Sequence, residues 1–146
     1  MEKTLRILHL EDDSNDIELV QATMSSNGLR CQIEDVCTRE QFRSVLERGG
    51  LDLILSDYSL PSFDGLSALQ IAREIAPGVP FILVSGAIGE EMAIETMKRG
   101  ATDYVLKSRL SRLAPAVRRA LQEAERRGRA GGPFSGKIVA PIPAGG

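Results

Sequence analysis

A chain of 146 residues, 42% of them apolar, is long enough for one ordinary core and too short for two comfortable domains. Its 18 Lys and Arg against 20 Asp and Glu leave a formal net charge of −2, which excludes the basic balance of a protein that binds nucleic acid or an anionic membrane through bulk charge. The opening MEKTLRILHLEDD holds an apolar run that stops at three acids, so it is neither a signal peptide nor a spanning helix, and the expected compartment is the cytoplasm.

Leu5 to Leu10 is a short run without polar alternation, the pattern of a strand covered on both faces and central in a parallel sheet. Ser14 or Asn15 is an N-cap candidate for a helix marked by Ile17, Leu19, Val20 and Met24, closing near Asn27 and Gly28. A second strand is predicted over Cys31 to Val36. Thr38 with Glu40 and Gln41 opens a helix carrying Phe42, Val45 and Leu46, which Gly49 and Gly50 end. Leu51 to Ser56 is the third strand, and the loop YSLPSFDG leads to a helix with Leu66, Leu69, Ile71, Ala72 and Ile75.

Phe81 to Val84 is a fourth buried strand with a small exit through Ser85, Gly86 and Ala87. The next helix runs from Gly89 to Arg99 with Gly100 as its left-handed cap, and the fifth strand, Thr102 to Leu106, delivers Lys107. A last helix is expected over Leu110 to Arg127, with Pro115 tolerated only near its start. Its arginines, Arg118, Arg119, Arg126 and Arg127 among them, read first as a solvated face. Five alternations of strand and helix predict an α/β doubly wound sheet with right-handed crossovers. The expected domain covers residues 1–128, and 129–146, rich in Gly and Pro without periodicity, is read as a flexible tail.

Cys31 and Cys37 would lie roughly 20 Å apart along an extended strand at about 3.3 Å per residue, which forbids a mutual disulfide. They are read as buried structural thiols, with no His or Cys partners for zinc. His9, the one histidine, sits inside the first apolar run and is read as a satisfied, semi-buried side chain.

The chemistry lies at the strand ends: Glu11, Asp12 and Asp13 after the first, Asp57 after the third, Ser85 after the fourth and Lys107 after the fifth. In an open sheet of this kind, ligands bind outside the carboxyl ends of the strands. Two carboxylates about 5 Å apart repel by roughly 3 kcal/mol at an effective dielectric near 20, so several together call for a cation. All-oxygen donors suit Mg2+. Asp12 and Asp57 are the direct-ligand candidates, Glu11 the holder of a metal-bound water, and the Ser59 backbone carbonyl a further donor. Asp13 is a candidate cap of the following helix. A phosphoryl group on Asp57 would find charge and hydroxyl partners in Lys107 and Ser85.

In order, ILHLEDD, LILSDYSLPSFDG, FILVSGA and GATDYVLK resemble the acidic pair, phosphoacceptor loop, hydroxyl switch and aromatic–lysine segment of the receiver domain of bacterial response regulators, the CheY-like superfamily. The resemblance spans roughly residues 4 to 127 and implies a (βα)5 flavodoxin-like fold with strand order 2-1-3-4-5. It further implies a two-component phosphorelay protein that is not an enzyme beyond promoting phosphotransfer to, and loss from, its own Asp57. Asp57 would accept the phosphoryl group from a phosphohistidine of a sensor histidine kinase or histidine phosphotransfer protein, with Mg2+ as cofactor. Lys107 takes the part of the family's lysine, and Ser85 and Tyr104 those of the switch pair, acting on the face made by the fourth helix, fifth strand and fifth helix. A homodimer formed on phosphorylation is compatible with this reading. Neither direct nucleic-acid binding nor membrane insertion is expected, and no output domain fits in the sequence as read.

Two departures stand out. Ser108 replaces the proline that usually follows the family's lysine, and a trans bond is expected there because a non-proline cis bond costs about 2.5 to 4 kcal/mol. Ser59 and Ala87, at positions that tune phosphoryl lifetime in the family, offer no obvious base for water, which implies a long-lived phosphorylated state. Two other classes remain open. A magnesium-dependent phosphohydrolase would carry its nucleophile in a DxD pattern after the first strand, where this chain reads EDD; a receiver-like adaptor would bind partners without phosphorylation.

Overall fold

The computed structural model describes residues 3–58, 60, 63–86 and 89–130. The elements are β1 (Leu5–Leu10), α1 (Ser14–Ser26), β2 (Cys31–Val36), α2 (Arg39–Arg48), β3 (Leu53–Ser56) and α3 (Gly65–Ile75), followed by β4 (Phe81–Ser85), α4 (Glu90–Lys98), β5 (Asp103–Leu106), a 3-10 segment (Lys107–Arg112) and α5 (Leu113–Ala130). The five strands form one parallel sheet in the order β2-β1-β3-β4-β5, as expected.

Strand periodicity divides the core into two layers. Leu8, Leu10, Ile54, Phe81 and Leu83 face a layer completed by Phe42, Val45 and Leu46 of α2 and by Ala68, Leu69 and Ala72 of α3. Leu5, Ile7, Leu53, Leu55, Ile82, Val84 and Val105 face the other layer, completed by Val20 and Met24 of α1 and by Leu113, Val117 and Ala120 of α5. The interior strands are buried on both faces, which is why they read as unbroken apolar runs. β2, at one edge, alternates half-buried and exposed residues from Cys31 to Glu34, and Asp35 is exposed before the buried Val36.

Local chemistry explains where the elements start and stop. Thr38 caps α2 with a complete capping box: its hydroxyl accepts from the Gln41 N–H, and the Gln41 side chain accepts from the Thr38 N–H. Gly100, at φ 113°, follows α4 in a conformation that a side chain would resist.

Several expectations need correction. The N-cap of α1 is Asp13, whose carboxylate accepts from the N–H groups of Asn15 and Asp16 at 2.8 and 3.3 Å. β3 begins at Leu53 because Asp52 uses its carboxylate to accept from the Arg6 N–H and to pair with Lys3. The last α-helix begins at Leu113, since Arg109 (φ −134°, ψ 51°) breaks the helical path and leaves a 3-10 segment before it. The two cysteines are not buried: Cys31, the first residue of the edge strand β2, is half-buried, and Cys37, just after it, is exposed. His9 is partnered as expected, with its Nδ1 3.1 Å from Asp35 Oδ1, and is buried more fully than the semi-buried side chain expected. Of the tail expected at 129–146, residues 129 and 130 continue α5, and 131–146 lie outside the described residues.

Candidate functional site

The register of the sheet lines up the chemical groups. Leu10 pairs with Val36 and Ser56, Ser56 with Leu83, and Ser85 with Leu106, so Glu11, Asp57 and Lys107 each emerge one residue beyond a paired position at the same end of the sheet. Continuing the two-residue alternation places Glu11, Asp57 and Lys107 on the side of the sheet that α1 and α5 cover. Ser85 shares the opposite side with Phe81 and Leu83. Tyr104, half-buried, packs against that same layer.

Lys107 draws the pocket together. Its Nζ lies 2.8 Å from Glu11 Oε1, 2.6 Å from Asp16 Oδ2 and 3.4 Å from Asp57 Oδ2. The second oxygen of Glu11 accepts from the N–H groups of Asp12 and Asp13, each at 3.2 Å. Asp57 Oδ1 accepts from the Tyr58 N–H at 2.7 Å. Glu11, Asp12 and Asp57 bring one carboxylate oxygen each within 4.8 Å of the others. Glu11 and Asp57 are buried and Asp12 is exposed.

The electrostatics follow from this geometry. Burial pushes the Glu11 carboxyl above its usual range, reinforced by the Asp57 charge and opposed by hydrogen bonds from Lys107 and the Asp13 amide. Burial works to lower the Lys107 ammonium. Hydrogen bonds to Asp16 and Glu11, with the charges of Glu11 and Asp57, outweigh it and raise the group above its ordinary value. The lysine is therefore a fixed positive charge. Three oxygen donors converging with no nitrogen or sulfur among them fit a hard divalent cation.

The residues expected at the pocket fall into place unevenly. Glu11, Asp12, Asp57 and Lys107 are together; Ser85, 2% exposed, ends the strand beside β3. Ser59 and Ala87 lie outside the described residues. The bond from Lys107 to Ser108 is not cis, as expected. Asp16 is the member that sequence reading missed. Its signal was its place in the first turn of a helix starting at residue 14, directly after the acidic strand end.

Residues 7–118 match the family model of the response regulator receiver domain. The chain belongs to that family. Among curated relatives, this receiver is similar to response regulator protein FleR of Pseudomonas aeruginosa, 30% identical over 102 residues that cover 70% of this chain and 21% of FleR. It is also similar to transcriptional regulatory protein ZraR of Escherichia coli O157:H7, 29% identical over 101 residues, covering 69% and 22%. The matched region thus spans about a fifth of each of these proteins.

Two solved structures carry the likeness across most of the receiver. The CheY-like receiver domain protein of Methanospirillum hungatei JF-1 is 25% identical, with a TM-score of 0.75 and coverage of 86% of this chain and 100% of that one. The receiver domain of sensor histidine kinase PA1611 from Pseudomonas aeruginosa PAO1 is 26% identical, with a TM-score of 0.70 and coverage of 82% and 99%; it holds a magnesium ion coordinated in its active-site cleft. The sheet order and flavodoxin-like fold agree with this membership, and no helix among the described residues is long and apolar enough to cross a membrane.

Proposed function

We propose that this receiver, residues 1–128 of the chain, accepts a phosphoryl group on Asp57 from a phosphohistidine of a sensor kinase or phosphotransfer protein. The observation that carries the reading is the meeting of Asp57 with Lys107 at 3.4 Å inside a cluster completed by Glu11 and Asp12. In the transfer, the bond between phosphorus and the donor imidazole nitrogen breaks and one forms to a carboxylate oxygen of Asp57, while the donor histidine takes up a proton. Lys107 supplies positive charge to the phosphoryl oxygens, and Ser85 a hydroxyl.

Asp12 and Asp57 would ligate Mg2+ directly, with the Ser59 carbonyl as a further donor. Glu11 is better suited to a metal-bound water, because its two oxygens already face Lys107 and two backbone amides. When bound, the cation neutralises charge on the carboxylates and the incoming phosphoryl group. The site promotes transfer to and loss from its own Asp57 rather than turnover of a separate substrate.

The output surface proposed is the face of α4, β5 and α5. Exposed Ile94 and Met97 on α4 support it, as does the 3.7 Å pair between Arg119 of α5 and Asp103 of β5. Tyr104 on the same strand would report the state of the pocket by turning inward as Ser85 moves toward the phosphoryl oxygens. A protein target, a second copy on phosphorylation, and action in the cytoplasm complete the reading.

The test is stoichiometric labelling by acetyl phosphate with magnesium, followed by transfer from the histidine kinases of the source organism. Wild type should take one phosphoryl group and Asp57→Asn none. Failure with every donor would favour the phosphorylation-independent adaptor.

A further inference from the structure

Asp16 makes the shortest of the three carboxylate contacts to Lys107: 2.6 Å, against 2.8 Å to Glu11 and 3.4 Å to Asp57. It stands in the first turn of α1, where the positive end of the helix favours a carboxylate. Its backbone N–H is held by Asp13, so the side chain projects from a fixed point.

An ammonium has three N–H donors, and among the described residues three carboxylates surround this one. For Lys107 to close on new oxygens at Asp57, at present its longest contact at 3.4 Å, one of the two shorter contacts must lengthen. Glu11 is poorly placed to yield, since its side chain is 2% exposed and loss of the lysine would leave a buried carboxylate short of a partner. The Asp16 side chain is 25% exposed and can exchange the ammonium for water.

We propose that Asp16 is a positioning residue that draws the Lys107 ammonium closer to itself than to Asp57 and competes with the phosphoryl group for it, and so sets how tightly that group is retained. This rests on the reading of Asp57 as phosphoacceptor. The competition differs from general charge repulsion because it acts only through Lys107.

The experiment is a titration of the full chain with beryllofluoride in magnesium, followed by fluorine NMR, for wild type, Asp16→Asn, Lys107→Ala and the double variant. Asp16→Asn should bind the probe about three- to fivefold more tightly, the scale of one partly exposed ion pair, and should lose acetyl-phosphate label more slowly by a similar factor. The gain should vanish in the Lys107→Ala background, as a double-mutant cycle requires of a coupled pair. Unchanged or weaker binding by Asp16→Asn overturns the proposal, as does an equal gain with Lys107 absent. Asp16→Ala is the second neutral variant should Asp16→Asn fail to fold. A wild type that binds no beryllofluoride overturns the phosphoacceptor reading itself, and this inference with it.

Discussion

Gly65 lies against the backbone of Asp57: a Cβ at position 65 would stand 2.9 Å from the Asp57 carbonyl oxygen and 2.9 Å from the Tyr58 Cα. The Gly65 N–H also donates to the Tyr58 carbonyl at 2.8 Å, so the start of α3 and the loop after β3 approach as closely as backbone allows. Gly65→Ala has no flexible side chain to push aside. It should destabilise the protein by about 1–3 kcal/mol in urea denaturation and reduce phosphoryl uptake by displacing the loop that presents Asp57. Gly78→Ala, with nothing within 4 Å of its Cβ, should stay within about 0.5 kcal/mol of wild type. Equal effects at the two glycines would refute the packing argument.

Magnesium should stabilise the fold, because it relieves the repulsion among Glu11, Asp12 and Asp57. At ten times the dissociation constant the gain is about 1.4 kcal/mol, read as a higher melting temperature. Asp12→Asn should shrink that gain, and chelation by EDTA should abolish labelling at Asp57. A melting temperature indifferent to magnesium would remove the cation from the pocket.

Thr38→Ala should cost about 1 kcal/mol by opening the capping box of α2. Labelling of Asp57 should proceed at the wild-type rate, since Thr38 follows the edge strand β2, whose end carries none of the pocket's groups. Denaturant midpoints and labelling time courses on the same preparation separate the two effects.

The two thiols should differ in reactivity. Burial pushes the Cys31 thiol up, its Sγ lies 3.5 Å from the Leu29 carbonyl, and Cys37 is exposed. Because the thiolate is the nucleophile, a raised value lowers the reactive fraction of Cys31 near pH 8. Iodoacetamide should modify Cys37 first, and Cys31 should catch up as pH climbs toward its raised value. Peptide mapping that found Cys31 the faster site would contradict this order.

Why Cys37 misled the sequence reading, while Leu53, Ile54 and Leu55 did not, is a matter of neighbours. An apolar run announces burial on both faces, but a lone thiol after Val36 says nothing about whether its strand is interior or at an edge. Alternation of strands and helices made the sheet legible, and acids and a lysine at strand ends made Glu11, Asp12, Asp57 and Lys107 legible as one pocket. Asp16 was not legible, because its part depends on the first turn of α1 meeting the lysine that follows β5 rather than on the strand that ends at Leu10. Cap choice was likewise a contest between adjacent polar residues: Asp13, Ser14 and Asn15 can all accept an amide, and only the backbone turn at Asp13 decided it. Arg109 carried no local signal for the break it makes before Leu113.

The sheet order also sets a mechanical asymmetry within the pocket. Both buried acids descend from interior strands, each clamped by a neighbour on either side, whereas Lys107 hangs from β5, which among the described residues pairs with β4 alone. Rows of hydrogen bonds on two sides anchor the anions, and one row anchors the cation. Displacement in response to new charge at Asp57 is therefore cheapest at the lysine's end, so β5 and the 3-10 segment after it are the compliant rim of an otherwise stiff pocket.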